Sequence, residues 1–135
     1  MIRSILFAVA FYVVTALFLI LGSWLLFAPR SWAMQGLRLH GLACLWLLDR
    51  IAGTRLEVRG REKLPPGPIL VAAKHQSAWD TFALVPLLRD PAIVLKEELK
   101  WIPLYGWFCV KFEHILVKRD RAAAELKAMI SSARS

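Results

Sequence analysis

His75 stands five residues before Asp80 in the run Lys74-His75-Gln76-Ser77-Ala78-Trp79-Asp80. A carboxylate bonded to an imidazole fixes the ring's tautomer and stabilises the imidazolium formed when the ring takes a proton, so such a pair can act as general base on an alcohol. Ser77 lacks the Gly-x-Ser-x-Gly surroundings of a nucleophile and reads as a turn or N-cap residue, its hydroxyl engaged with backbone amides. Three histidines and ten acidic residues in one chain also produce a His-Asp spacing by chance. The bland reading is a capping serine, an aspartate in the field of a helix start and a histidine bonded to a carbonyl. A second candidate set is Lys118-Arg119, directly after the apolar Ile115-Leu116-Val117. Basic residues at a strand end can hold a phosphate, although a solvated charge run is the commoner meaning of such a pair.

The elements around these residues decide whether they can meet. Ile69 to Ala73, preceded by Gly67-Pro68, reads as a buried strand, and Thr81 to Leu88 as a helix. His75 then falls at the junction and Asp80 lies about one turn into the helix, facing back. Strand ends feeding helices are where open α/β folds place their chemistry. Arg55 to Arg59 alternates polar and apolar residues as a half-exposed strand does, and Gly60 to Gly67 forms a turn region. Pro86 and Asp90-Pro91 end the helix, and Ala92 to Leu95 reads as another short buried strand. This strand-helix-strand order predicts an α/β fold. Lys96 to Phe108 opens on a charged turn, breaks at Pro103 and continues into an aromatic cluster suited to the core or to lipid. Asp120 is a suitable N-cap for a final helix, and His114 reads as structural.

Composition adds a membrane. The chain is 58% hydrophobic with six tryptophans, too apolar for disorder, and it has a net charge of +8 spread from Arg3 to Arg134. Such a balance suits anionic headgroups or phosphorylated substrates, and no recognisable nucleic-acid motif accompanies it. Cys44 and Cys109 read as small core residues of a reducing compartment, with neither disulfide framework nor metal-ligand spacing. Ile5 to Phe27 is long enough to cross the hydrocarbon layer of about 30 Å, and it lacks a signal-peptide cleavage site. Arg30, Arg38 and Arg50 follow it against Arg3 alone in front, which puts the downstream part in the cytoplasm if the segment spans. Ser31 to Leu48, capped by Ser31 and with Trp32 and Trp46 as interfacial anchors, reads as a second helix, on which His40 is a polar-face residue. A span plus a surface helix and a hairpin within one leaflet both fit.

Four blocks together resemble the glycerophospholipid acyltransferase family, in particular its lysophosphatidic acid acyltransferases. They are Val58-Arg59-Gly60-Arg61-Glu62-Lys63-Leu64-Pro65, the His75–Asp80 run, Lys96-Glu97-Glu98-Leu99-Lys100-Trp101-Ile102-Pro103-Leu104-Tyr105-Gly106-Trp107, and Val117-Lys118-Arg119. The resemblance implies a membrane-associated helical hairpin over residues 1–50 and a partial acyltransferase α/β domain over 51–135. It also implies that His75 is the general base on the hydroxyl of a lysophospholipid, with Asp80 orienting it. The acyl donor would be an acyl-CoA or acyl carrier protein thioester, without a further cofactor or a metal. Arg119, helped by Lys118, would bind the acceptor phosphate. Glu113, Leu116 and Lys118 depart from the family's phosphate motif, in which glycine, an aromatic and aspartate occupy those positions. The family's third block, Phe-Pro-Glu-Gly-Thr-Arg, does not occur before Ser135, so the chain is expected to be the first part of a longer, bacterial-type inner-membrane enzyme with its catalytic part in the cytoplasm. The partners are then membrane lipids, the thioester donor and the acceptor, with no nucleic acid. The competing reading is a basic membrane-binding module without catalysis.

Overall fold

The computed structural model describes residues 1–73 and 79–118. It begins with α1, Ile2–Leu21, whose twenty residues extend about 30 Å and carry one charge, Arg3. The helix is long and apolar enough to cross a membrane. It ends earlier than the apolar run does, with Gly22 at its C-cap, a position where a Cβ would run into the Phe18 carbonyl. Ser23–Leu26 then forms a 3-10 turn.

Helix α2, Arg30–Leu47, starts on Pro29, whose carbonyl accepts from the Trp32 and Ala33 amides at 3.0 and 3.3 Å. Ser31 therefore lies inside the helix and does not cap it, contrary to the sequence expectation. A proline fixed at φ −53° already sets the entry of the chain. The end of α2 widens into a π turn, Leu48–Ala52, closed by Gly53 at φ +72°. The helices pack side by side as a hairpin, with the start of α1 reaching this π turn. His40 corrects a second expectation. It is no outward polar residue: its Nε2 lies 3.0 Å from Thr15 Oγ1 on α1, and the Phe18 ring packs edge-on against it at 5.3 Å. A ring that finds a hydroxyl partner across an apolar interface is tolerated there.

The remainder is a mixed helical structure with a small parallel sheet. Helix α3 is Trp79–Ala83 and α4 is Tyr105–Lys111. Strands β1, Val94–Lys96, and β2, Ile115–Val117, pair in parallel with Val94 opposite Ile115 and Lys96 opposite Val117. The strand expected at Ala92–Leu95 is thus displaced toward the charged turn and half exposed, whereas Ile115–Val117 forms as expected. Arg55–Arg59 and Ile69–Ala73 differ from expectation more strongly. Both run without a ladder, and Leu70 is 97% exposed. A strand persists through its neighbours' hydrogen bonds, and among the described residues β1 and β2 pair only with each other. The helix expected to reach Leu88 stops at Ala83, after which turns lead past Pro86. The predicted final helix from Asp120 lies outside the described residues.

The core lies between the hairpin and this mixed part. Ala33 and Met34 of α2 pack with Phe108 and Phe112, and Leu19, Leu25, Leu26 and Leu37 close over them. Cys44 and Cys109 are buried free thiols, as read from sequence, and burial raises both pKa values, that of Cys44 to about 11.

Candidate active site

Asp80 sits in the first turn of α3, where a carboxylate complements the helix dipole. His75, Ser77 and Arg119 lie outside the described residues, so of the four predicted site residues Asp80 and Lys118 are seen. What the structure gives instead is how α3 is held. Phe82, Ala83 and Val85 are buried. Gly41 of α2 faces this segment so closely that a Cβ would lie 2.8 Å from the Phe82 carbonyl oxygen and 3.2 Å from Pro86 Cδ. Only glycine lets the two backbones approach in this way. From α1, the Phe11 ring reaches the Phe82 ring at a centroid distance of 5.5 Å. Both hairpin helices therefore hold the short helix that carries Asp80.

The arginines behind α1 reinforce this arrangement. Arg30 donates to Asp90 Oδ2 at 2.6 Å and to the Phe112 carbonyl at 3.3 Å. Arg38 donates to the carbonyls of Leu88, at 3.1 Å, and Arg89. Residues that sequence counting treats as topology signals thus pin α2 to the loop between α3 and β1. Beneath the hairpin lies an apolar cavity of about 180 Å³, lined by Phe11, Phe18, His40, Thr81, Phe82 and Phe108 among others. It borders α3 one residue beyond Asp80.

The second site element is the carboxyl end of the sheet. Lys96 ends β1 opposite Val117, so Lys118 leaves β2 beside it. Glu97 joins the cations: Oε1 accepts from Lys100 Nζ, and Oε2 lies 3.6 Å from Lys118 Nζ. The bond from Lys100, together with the two positive charges, holds the Glu97 carboxyl below its ordinary pKa. At the other end of the strands, His114 Nδ1 accepts from the Ile93 amide at 3.2 Å, in agreement with its structural reading. Burial, helped by the Arg30 charge, lowers the His114 pKa. Sequence reading did not single out Glu97 or Gly41. The Glu97–Lys100 spacing of three was a legible signal for one; nothing local marks the other.

The described part of the candidate site is thus a buttressed helix with Asp80 in its first turn and a cationic strand end. The acyltransferase family profile matches residues 55–134, more than half of the chain, and the chain belongs to that family. Among curated proteins it is similar to the 1-acyl-sn-glycerol-3-phosphate acyltransferase of Pseudomonas aeruginosa, 38% identical over 85 residues that cover 63% of this chain and 33% of that protein. It is also similar to proteins of the same name from Chlamydomonas reinhardtii, 31% identical over 77 residues (56% of this chain, 23% of that one), and Saccharomyces cerevisiae, 33% over 63 residues (46% and 21%). The chain thus spans a third or less of the length of these relatives. No solved structure matches it.

Proposed function

We propose that the protein transfers a fatty acyl group from an acyl thioester, on coenzyme A or acyl carrier protein, to the free hydroxyl of a lysophospholipid. The preferred acceptor is 1-acyl-glycerol-3-phosphate, giving phosphatidic acid. His75 takes the hydroxyl proton as the oxygen attacks the thioester carbonyl. The carbon–sulfur bond then breaks, and the imidazolium returns its proton to the leaving thiolate. Asp80 holds the imidazole tautomer and stabilises the imidazolium. Arg119 and Lys118 bind the acceptor phosphate, with Glu97 limiting where the Lys118 ammonium can go. Neither a metal nor an acyl-enzyme enters this scheme.

The observation that carries this reading is the family match over residues 55–134, which contains every one of these residues. The packing of α3 supports it, since a general base gains from an orienting carboxylate only when that carboxylate is itself fixed. The apolar cavity beside Thr81 and Phe82 has the surface chemistry of an acyl chain.

The same packing favours a hairpin lying in one leaflet over a helix crossing both. Phe11, halfway along α1, touches Phe82 of the mixed part, and a perpendicular span would draw that contact toward the bilayer centre. The opposite side of α1, with Ile5, Val9, Val13, Leu17 and Ile20, is exposed and predominantly apolar, with Tyr12 at its edge, as an interfacial helix needs. On this reading residues 1–50 hold the site at the cytoplasmic lipid surface of an inner membrane, and residues 51–135 carry the acyltransferase chemistry.

The test is transfer from a labelled thioester to lysophosphatidic acid in membranes containing the protein or its His75→Ala variant. Transfer that disappears in the variant while membrane retention persists is the expected result. Equal transfer by both removes His75 from the mechanism, and salt-sensitive lipid binding without transfer by either form would favour the non-enzymatic module.

A further inference from the structure

Helix α4 lacks the usual division of a surface helix, being apolar on its outward as well as its buried side. Its buried side carries Phe108 and Cys109, followed by Phe112, while its outward side carries Trp107 and Val110, which are 64% and 68% exposed. Their spacing of three places them on one face. Across an open groove stand Trp24 and Phe27 of the hairpin turn, both exposed, with Leu104 at its side.

This face is held rigidly in place. Lys111 Nζ donates to the carbonyls of Leu26 and Ala28 at 3.0 and 2.6 Å, tying the end of α4 to the turn. At the other end Leu104 has φ +63°, a conformation few non-glycine residues adopt, and Gly106 lies so close to the Lys100 carbonyl that no Cβ fits. Surrounding structure must over-determine such a backbone.

Trp24, which lines the groove, follows closely on the exposed Leu17, Ile20 and Leu21 at the end of α1. Tryptophan is favoured where one edge of a surface meets hydrocarbon and the other meets headgroups. Among the described residues the groove is lined by no acidic side chain, and its charged member, Lys111, is a cation. These features fit a phospholipid interface better than a protein partner.

We propose that the outward face of α4, Trp107 and Val110 together with Trp24 and Phe27, is a second lipid-contacting surface that seats the catalytic part itself on the membrane. The inference rests on the reading of α1 as an interfacial helix. With contacts at both the hairpin and α4, the catalytic part cannot pivot about the hairpin, so the acceptor reaches the site at one fixed height above the bilayer.

The test uses the protein reconstituted in phosphatidylcholine–phosphatidylglycerol vesicles, labelled with an environment-sensitive fluorophore through Val110→Cys, Trp107→Cys, Val9→Cys on α1, or Glu62→Cys as an aqueous reference. The expected result is blue-shifted emission, quenched by lipids brominated near the headgroup, at positions 110, 107 and 9 but not at 62. Quenching at position 9 with positions 107 and 110 matching the reference would overturn the α4 contact while leaving the hairpin reading intact. A blue shift at 110 and 107 without lipid quenching means that protein covers this face, which also overturns the proposal. No quenching at position 9 either would remove the interfacial reading on which both rest.

Discussion

The two candidate site regions are built by different physics. The helix bearing Asp80 is held by buried contacts, with Phe82, Ala83 and Val85 packed under α2 and Gly41 touching their backbone. The sheet end bearing Lys118 is held by ion pairs, and the Lys118 side chain is 61% exposed. Close-packed contacts resist displacement of even a methyl group, whereas an exposed pair is screened and readily remade. The difference suits the proposed roles. A carboxylate that orients a base needs a fixed direction; a cation that meets an incoming phosphate must let go of its resting partner.

The comparison can be broken in descending order of effect. His75→Ala should lower the transfer rate by about 10² to 10⁴, the usual contribution of a general base, without releasing the protein from membranes. This is read as kcat in an acyl-transfer assay. Next comes Gly41→Leu, which forces a side chain into the contact between α2 and α3. Overpacking of this kind costs about 1–3 kcal/mol, and the variant should lose both thermal stability and kcat. If kcat survives unchanged, the orientation of α3 does not depend on the hairpin.

A smaller effect concerns pH. His114 has a folded-state pKa below its ordinary value because of burial, with the Arg30 charge adding to it. The unfolded chain therefore binds the proton more readily, so this contribution is intact above the unfolded pKa of about 6.5 and is lost as pH falls through the lower folded value. Protonation also removes the acceptor for the Ile93 amide. Melting temperature should drop on acidification, less steeply in His114→Asn, whose side-chain oxygen can still accept from that amide without titrating. An equal slope in both forms would assign the acid sensitivity elsewhere. The smallest change belongs to Glu97→Gln, which releases Lys118 and Lys100 from their shared carboxylate. It should alter the acceptor KM by no more than a few-fold, with kcat unchanged, and added salt should erase the difference. A large loss of kcat would mean that the strand end is as rigid as the α3 side.

Much of the local framework was legible. The apolar segment that became α1, the break before α2, the strand at Ile115–Val117 and the burial of both cysteines follow from periodicity, Pro and Gly punctuation and residue type. Lys118 after a strand was legible in the same way, whereas Asp80, expected about one turn into its helix, lies in the first turn of α3. The strands expected at Arg55–Arg59, from alternation, and at Ile69–Ala73, from an apolar run, failed because either pattern describes only which faces are apolar, while a strand also needs a neighbour to bond. His40 was misplaced because its partner, Thr15, lies twenty-five residues away on another helix.

By itself, then, the sequence determined the residue types that chemistry requires and their order along the chain, and its four blocks carried the resemblance to the family. Tertiary structure alone decided that Gly41 and Phe11 buttress α3, that Arg30 and Arg38 anchor the hairpin to the mixed part, and that Trp107 shares a groove with Trp24. The physical reason is that each of these depends on two backbones brought together from distant parts of the chain. Periodicity says which side of an element is apolar, and only packing says what meets it.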